Sequence, residues 1–183
     1  GLVGLWNFDD VENGLVKDSG PGGFHGKLVG QAKAVEVQFP NPSEFVRRER
    51  VLELDGNGSY LELAQDAFSD FTEATIEGWV KWESFGTYSR FFDFGTNYSW
   101  MCVSIRLQGP SFDFENVQEY PNPGPGASNA YIIVQNQLRA GEWNHLAAVS
   151  GKRGMKLYFN GELAGSNSVT RSLKAGNDFN ELH

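Results

Sequence analysis

The stretch "VLELDGNGSYLEL", Val51 to Leu63, decides how the rest of the chain is read. Its two alternating segments, "VLELD" and "SYLEL", flank "GNG", the pattern of two short strands and a tight connection. The same letters begin a Glu-x-Asp-x-(x)-Glu strand, in which three carboxylates on one face would hydrolyse a glycosidic bond. Retaining hydrolysis needs its two reacting carboxylates about 5 Å apart. Glu53 and Asp55 are present, but Asn57 and Gly58 stand where the third carboxylate should fall. Gly56 and Gly58 also interrupt the strand that would display it. With no residue placed to protonate a leaving group, the stretch reads as strand and turn without chemistry.

Working outward, most segments are short, apolar or alternating, and bounded by turn residues. "LVGLWNF" (2–8) reads as a first strand and "DSGPGGFHG" (18–26) as a turn, followed by a short strand "KLVG". Residues 31–50, with two prolines in "FPNPSEF", read as a loop. In "EATIEGWVKWE" (73–83), Ala74, Ile76, Val80 and Trp82 share one face, while Thr75, Glu77, Trp79 and Lys81 share the other. "SRFFDFG" and "YSWMCVSIRL" follow; in the latter Met101, Val103, Ile105 and Leu107 point inward, with Tyr98, Trp100, Ser104 and Arg106 opposite. Residues 109–129 are rich in Pro and Gly and read as a long loop. "AYIIVQ", "EWNHLAAVS" and "MKLYFNGELAG" complete the set, and Asn160-Gly161 in the last is the signature of a type I′ hairpin. No segment carries a convincing helical period. Short strands with turns at this spacing predict an all-β, two-sheet antiparallel sandwich, most commonly closed as a jelly roll.

The 183 residues suit one domain, 1–183, and 40% hydrophobic with 21% charged residues is a globular composition. A formal charge of -8 argues against nucleic acid or an anionic membrane surface as partner. The basic cluster Arg47, Arg48 and Arg50 lies beside Glu44 and Glu49 and reads as a solvated edge. No apolar run approaches the roughly 18 residues of a membrane span. The absence of a signal peptide neither shows nor excludes export. Cys102 is the single cysteine, which rules out an internal disulfide and a cysteine-rich zinc site; within "SWMCVSI" it reads as a packed, inert side chain.

The common catalytic signatures HExxH, CxxC, GxSxG and GxxxxGK[ST] are missing. His25 falls in a Gly-rich turn, His145 alternates with Trp143 and Ala147, and His183 is the last residue; none nominates a triad. "DDVENG" (9–14) resembles half of an EF-hand loop, but Val11 and Gly20 occupy ligand positions, so that calcium reading fails. What remains is aromatic: Trp79, Tyr98, Trp100, Tyr131 and Tyr158 occupy the non-core parity of several strands. If those strands were neighbours in one sheet, the rings would line a surface among Glu77, Lys81 and Arg106. Flat rings beside hydrogen-bonding groups suit the apolar faces of sugars. The competing reading has loops 31–50 and 109–129 covering the rings to form a second small core.

The order of these pieces is itself informative. "LVGLWNFDD", "VKDSGPGGFHGKLVG", "VLELDGNGSYLEL", "FTEATIEGWVKW" and "LRAGEWNHLAAVSGKRGMKLYFNGELAG" together resemble the laminin-G-like, concanavalin-A-like jelly-roll family. The resemblance spans almost the whole chain, and within it Leu54-Asp55-Gly56 with Tyr60 is a structural strand-turn-strand. It implies two antiparallel sheets and a non-catalytic, lectin-like module, usually extracellular and set among neighbouring domains of a larger chain. It also implies strands beyond His183 that this sequence lacks. The related pentraxins hold calcium with an Asp-Asn pair. Asn97 falls near that pair but follows Thr96, leaving Asp93 as the other oxygen ligand to watch, so calcium is unsupported and no cofactor is expected.

The sequence thus points to a recognition module for a glycan or protein ligand, with Trp79, Tyr98, Trp100, Arg106, Tyr131 and Tyr158 as candidate contacts. The alternatives are a structural or adhesion spacer, in which those rings serve stability, and a degenerate glycoside hydrolase resting on Glu53 and Asp55.

Overall fold

Every regular element is a strand in the computed structural model, which describes residues 1–39, 47–64, 67–68, 71–96, 98–117, 130–170 and 179–183. No helix among them is long and apolar enough to cross a membrane. The chain resolves into two compact units, Gly1–Ala67 with His183, and Phe68–Leu182.

In the first unit, β1 (Val11–Glu12), β2 (Leu15–Val16), β3 (Gly26–Val29) and β6 (Tyr60–Leu63) pair antiparallel in that order. Their inward residues Val16, Leu61 and Leu63 are buried. β4 (Lys33–Phe39) and β5 (Arg47–Glu53) form a separate antiparallel pair. That pair corrects the loop expected over 31–50: the two prolines that suggested it, Pro40 and Pro42, lie outside the described residues, and "KAVEVQF" keeps strict alternation. The first strand expected at 2–8 is not a strand either. The Asp18 carboxylate draws that segment into a knot of turns, accepting from the backbone N–H of Leu5, Gly20 and Phe24 at 2.7, 2.7 and 2.8 Å. The Trp6 indole donates to the Phe24 carbonyl at 2.7 Å, which ties the segment to the same turn.

The opening stretch is structural. Glu53 pairs with Lys33 across the β4–β5 pair at 2.6 Å in solvent. Asp55 instead caps the turn: its carboxylate accepts from the Ser59 hydroxyl at 2.5 Å and from the Asn57 N–H at 2.9 Å. Those bonds, Ser59's first, hold its carboxyl below the usual carboxylate range. The two acids therefore serve different local contacts and form no dyad.

In the second unit, β7 (Ala74–Val80), β12 (Asn144–Ser150), β13 (Met155–Phe159) and β14 (Glu162–Asn167) make one antiparallel sheet, in the order β14-β13-β12-β7. β8 (Arg90–Gly95), β9 (Trp100–Arg106), β10 (Ser111–Val117), β11 (Ala130–Val134) and β15 (Phe179–Leu182) make the other, in the order β15-β8-β9-β10-β11. The predicted hairpin at Asn160-Gly161 joins β13 to β14, with φ of 50° and 85° as a type I′ turn requires. β10 corrects the loop expected over 109–129. Its "SFDFENV" alternates as far as Glu115, with Phe112 and Phe114 buried, and residues 118–129 lie outside those described.

Between these two sheets sits an aromatic core. Phe92, Phe112, Phe114, Val103 and Ile105 are fully buried from one side, and Leu146, Ala148 and Leu157 from the other. Phe112 of β10 meets Phe159 of β13 across the layers at 5.4 Å between centroids. β14 approaches β11 closely at Gly165, where an added Cβ would lie 2.5 Å from the Ile132 side chain. Deleting one of these rings costs about 3–5 kcal/mol by general experience with cores. A core this firm leaves the outward side chains of the five-stranded sheet on a fixed grid.

A carboxylate-bearing face on the five-stranded sheet

Register places the outward residues of this sheet in rungs. Glu181, Asp93, Cys102, Glu115 and Tyr131 oppose one another in turn across β15, β8, β9, β10 and β11. The next rung runs Arg90, Ser104, Asp113, Ile133, and Arg106 faces Ser111 beyond it. Directly opposed residues share a face with Cβ atoms about 5 Å apart, so these side chains meet.

Asp113 is deeply set, 2% exposed, as are its neighbours Ser104 and Cys102. Its Oδ1 accepts from the Ser104 hydroxyl at 3.0 Å and its Oδ2 from Arg106 Nη1 at 2.8 Å. A buried carboxylate persists only when paired and hydrogen-bonded, and here both oxygens are. Glu115, two residues on, accepts from the Trp100 indole at 3.1 Å. Burial pushes its carboxyl up; the Trp100 bond opposes that and the neighbouring Asp113 adds to it. Asp93 pairs with Arg90 Nε at 2.8 Å through Oδ2, while its buried Oδ1 has no hydrogen-bond partner among the described residues. Burial raises its carboxyl to about 6, against the pull of Arg90 and with the push of Glu181 and Glu115. The Cys102 thiol between them is buried and pushed well up, which leaves it unreactive as expected.

Beside Asp113 opens a cavity of about 250 Å³ whose walls include Tyr88, Ser104, Arg106, Asp113, Glu115 and Tyr131. Its rim is the β9–β10 turn, where Leu107 and Gln108 both take positive φ (53° and 55°) and Leu107 is 76% exposed. Left-handed non-glycine residues in succession mark a turn held by its surroundings. The cavity thus offers carboxylate acceptors, a guanidinium fork, hydroxyls and a phenol ring within one small space.

Of the residues nominated from sequence, Trp100, Arg106 and Tyr131 come together on this face, although Trp100 acts by orienting Glu115. Trp79 and Tyr158 do not join them. They stand on β7 and β13 of the other sheet, where Trp79 packs edge-on to His145 at 5.4 Å. The expectation of one aromatic surface is thereby corrected: alternation fixes which side of a strand a residue takes, not which sheet the strand enters. Tyr98 sits in the bend before β9, 67% exposed. Asp93 lies on the face just described; Asn97 lies outside the described residues. Among the described residues no three His, Cys, Asp or Glu side chains gather as a metal site. Sequence reasoning missed Asp113, Glu115 and Tyr88. The signal for the first two was present in "SFDFENV", whose buried Phe112 and Phe114 alternate with the acids.

Comparison with known proteins gives a consistent fold. Domain 4 of AbnA, an extracellular arabinanase from Geobacillus stearothermophilus solved in complex with arabinotriose, is similar at a TM-score of 0.63 and 17% identity; 91% of this chain and 76% of that one are covered. A botulinum neurotoxin type C chain, whose cell entry depends on two ganglioside molecules, is similar at 0.56 and 16% identity, covering 100% and 42%. An S-layer domain-containing protein from Clostridium thermocellum (residues 221–444) is similar at 0.50 and 26% identity, covering 92% and 73%. The chain spans less than half the length of the toxin chain it matches. No curated protein matches it in sequence. Residues 55–182 match the family described as the concanavalin A-like lectin/glucanases superfamily, and with its antiparallel jelly-roll architecture the chain belongs to that superfamily.

Proposed function

We propose that this chain is a non-catalytic glycan-recognition module and that the cavity beside Asp113 is its sugar site. The observation that carries the reading is the cavity itself: a buried Asp113, bonded through both oxygens to Ser104 and Arg106, set beside Glu115 and the exposed Tyr131. Sugar hydroxyls donate and accept at once, so a site with fixed acceptors and a guanidinium donor matches them. A phenol face adds stacking on the apolar side of a pyranose or furanose ring. The arabinotriose held by the arabinanase domain and the gangliosides used by the toxin support the same ligand class for this fold. The setting that goes with this reading is extracellular, within a larger chain.

Titration calorimetry against a panel of neutral and acidic oligosaccharides tests it. Binding to a panel member should fall at least about tenfold in Tyr131→Ala and stay unchanged in Trp79→Ala. The opposite pattern would move the site to the other sheet, and no binding with stability losses alone would leave a spacer or adhesion domain.

A hydrolytic reading has one observation in its favour, the raised carboxyls of Asp93 and Glu115, since displaced carboxylate titration often marks acid–base catalysis. Reducing-sugar release that disappears in Asp93→Asn would establish it. Under the recognition reading no release occurs.

A further inference from the structure

Resting on the glycan reading of this cavity, we infer a ligand class from its charge: the site takes uncharged oligosaccharides and rejects anionic ones such as uronic, sialylated or sulfated sugars. The cavity wall carries two carboxylates, Asp113 and Glu115, against one guanidinium, Arg106. That guanidinium is already paired with a carboxylate, so it brings no net positive charge to the cavity. Arg106 meets Asp113 at 2.8 Å, and elsewhere on the sheet Arg90 meets Asp93 at 2.8 Å. Drawing Arg106 away would leave Asp113, 2% exposed, as a buried unpaired charge. An anionic sugar therefore meets net negative charge at the cavity wall, chiefly Glu115, whose carboxylate accepts from the uncharged Trp100 indole. Like charges in a partly desolvated site repel, and that repulsion is a device for specificity.

A neutral sugar meets the opposite situation. A hydroxyl can donate to Glu115 while accepting from an outward N–H of Arg106, whose five donors exceed what Asp113 uses. An anionic group can only accept. The overall charge of -8 acts in the same direction at long range and slows the approach of anions.

The test uses the full chain and matched sugars that differ in acid groups: arabinotriose and galactotriose with lactose, against trigalacturonate and sialyllactose. Each is titrated calorimetrically at low and high salt. The expected result is a neutral member bound about tenfold or more tighter than its acidic counterpart, with the gap narrowing as salt rises. In Glu115→Gln the gap should narrow further because one repelling charge is gone. The salt series carries the test should that variant fail to fold. An acidic sugar bound as tightly as its neutral partner, or more tightly at low salt, overturns the inference and leaves the glycan reading standing. No binding by either set overturns both.

Discussion

Asp18 and Asp93 are both aspartates at 8% exposure, and their carboxyls move in opposite directions. Burial raises each one. At Asp18 three backbone N–H donors from Leu5, Gly20 and Phe24 outweigh the burial and hold the carboxyl below its usual range. At Asp93 the single guanidinium of Arg90 does not, and the group rises to about 6. The difference lies in where the donors come from. Around "DSGPGGFHG" the glycines and turns leave backbone N–H groups pointing inward, and a carboxylate gathers them. On a strand the backbone donors are already used by the ladder, so a buried acid must rely on side chains. Asp18 therefore organises a fold, whereas the acids on β8 and β10 stand as a charged surface held ready by the sheet beneath it.

The most severe way to break this contrast is at the turn. Asp18→Ala removes the acceptor for three partly buried donors at once and should cost about 2–3 kcal/mol in urea unfolding. Asp18→Asn keeps part of the acceptor capacity and should cost less. Because the folded carboxyl is depressed, its contribution is complete above the ordinary value of 3.8 and lost as pH falls through the lower folded value. Equal losses for Ala and Asn would show that the three bonds do not hold the segment. On the sheet, Arg106→Ala strands Asp113 and should cost about 2 kcal/mol, reduced from a fully buried pair because Arg106 is partly solvated. Arg106→Lys should recover only part, since an ammonium lacks the planar fork.

These two regions also differ in how far they could be read in advance. The alternation of Ala74, Ile76 and Val80 and the Asn160-Gly161 turn specified β7 and the β13–β14 hairpin directly, because strand parity and positive φ are local properties. The segment 2–8 looked like a strand and is not one, because the competing partner, Asp18, lies many residues away in sequence. "SFDFENV" is masked in the sequence by the prolines and glycines that follow it within 109–129, although Phe112 and Phe114 mark an inward face. For the site, parity correctly put Trp100, Arg106 and Tyr131 outward. It had no means of separating them from Trp79 and Tyr158, because sheet membership depends on long-range pairing.

A gentler change sharpens the comparison through pH. Asp93 is raised above the value of 3.8 it regains on unfolding, so the native state binds more protons between about pH 4 and 6. Its favourable contribution is present below about 3.8 and is lost as pH rises through 6, after which the fold carries a buried charge with one unbonded oxygen. Asp93→Asn should therefore be more stable than the parent at pH 8, by on the order of 1–2 kcal/mol, and the two should converge near pH 4. A variant less stable than the parent at pH 8 would mean that the Arg90 pair outweighs the desolvation.

Tyr131→Ala carries the smallest expected change in stability and the largest in recognition. The ring is 38% exposed and stands at the end of its rung, opposite Glu115, so its removal should alter unfolding by only about 0.5 kcal/mol. Phe114, one strand over and facing inward, is fully buried, and its truncation belongs to the costly class of core deletions. If Tyr131 instead cost as much as a core ring, the outer face would be a second core and the sheet would offer no surface for a ligand. A small loss of stability together with lost oligosaccharide affinity separates a ring displayed for stacking from one packed for the fold. That separation is the same one Asp93 and Asp18 draw for carboxylates.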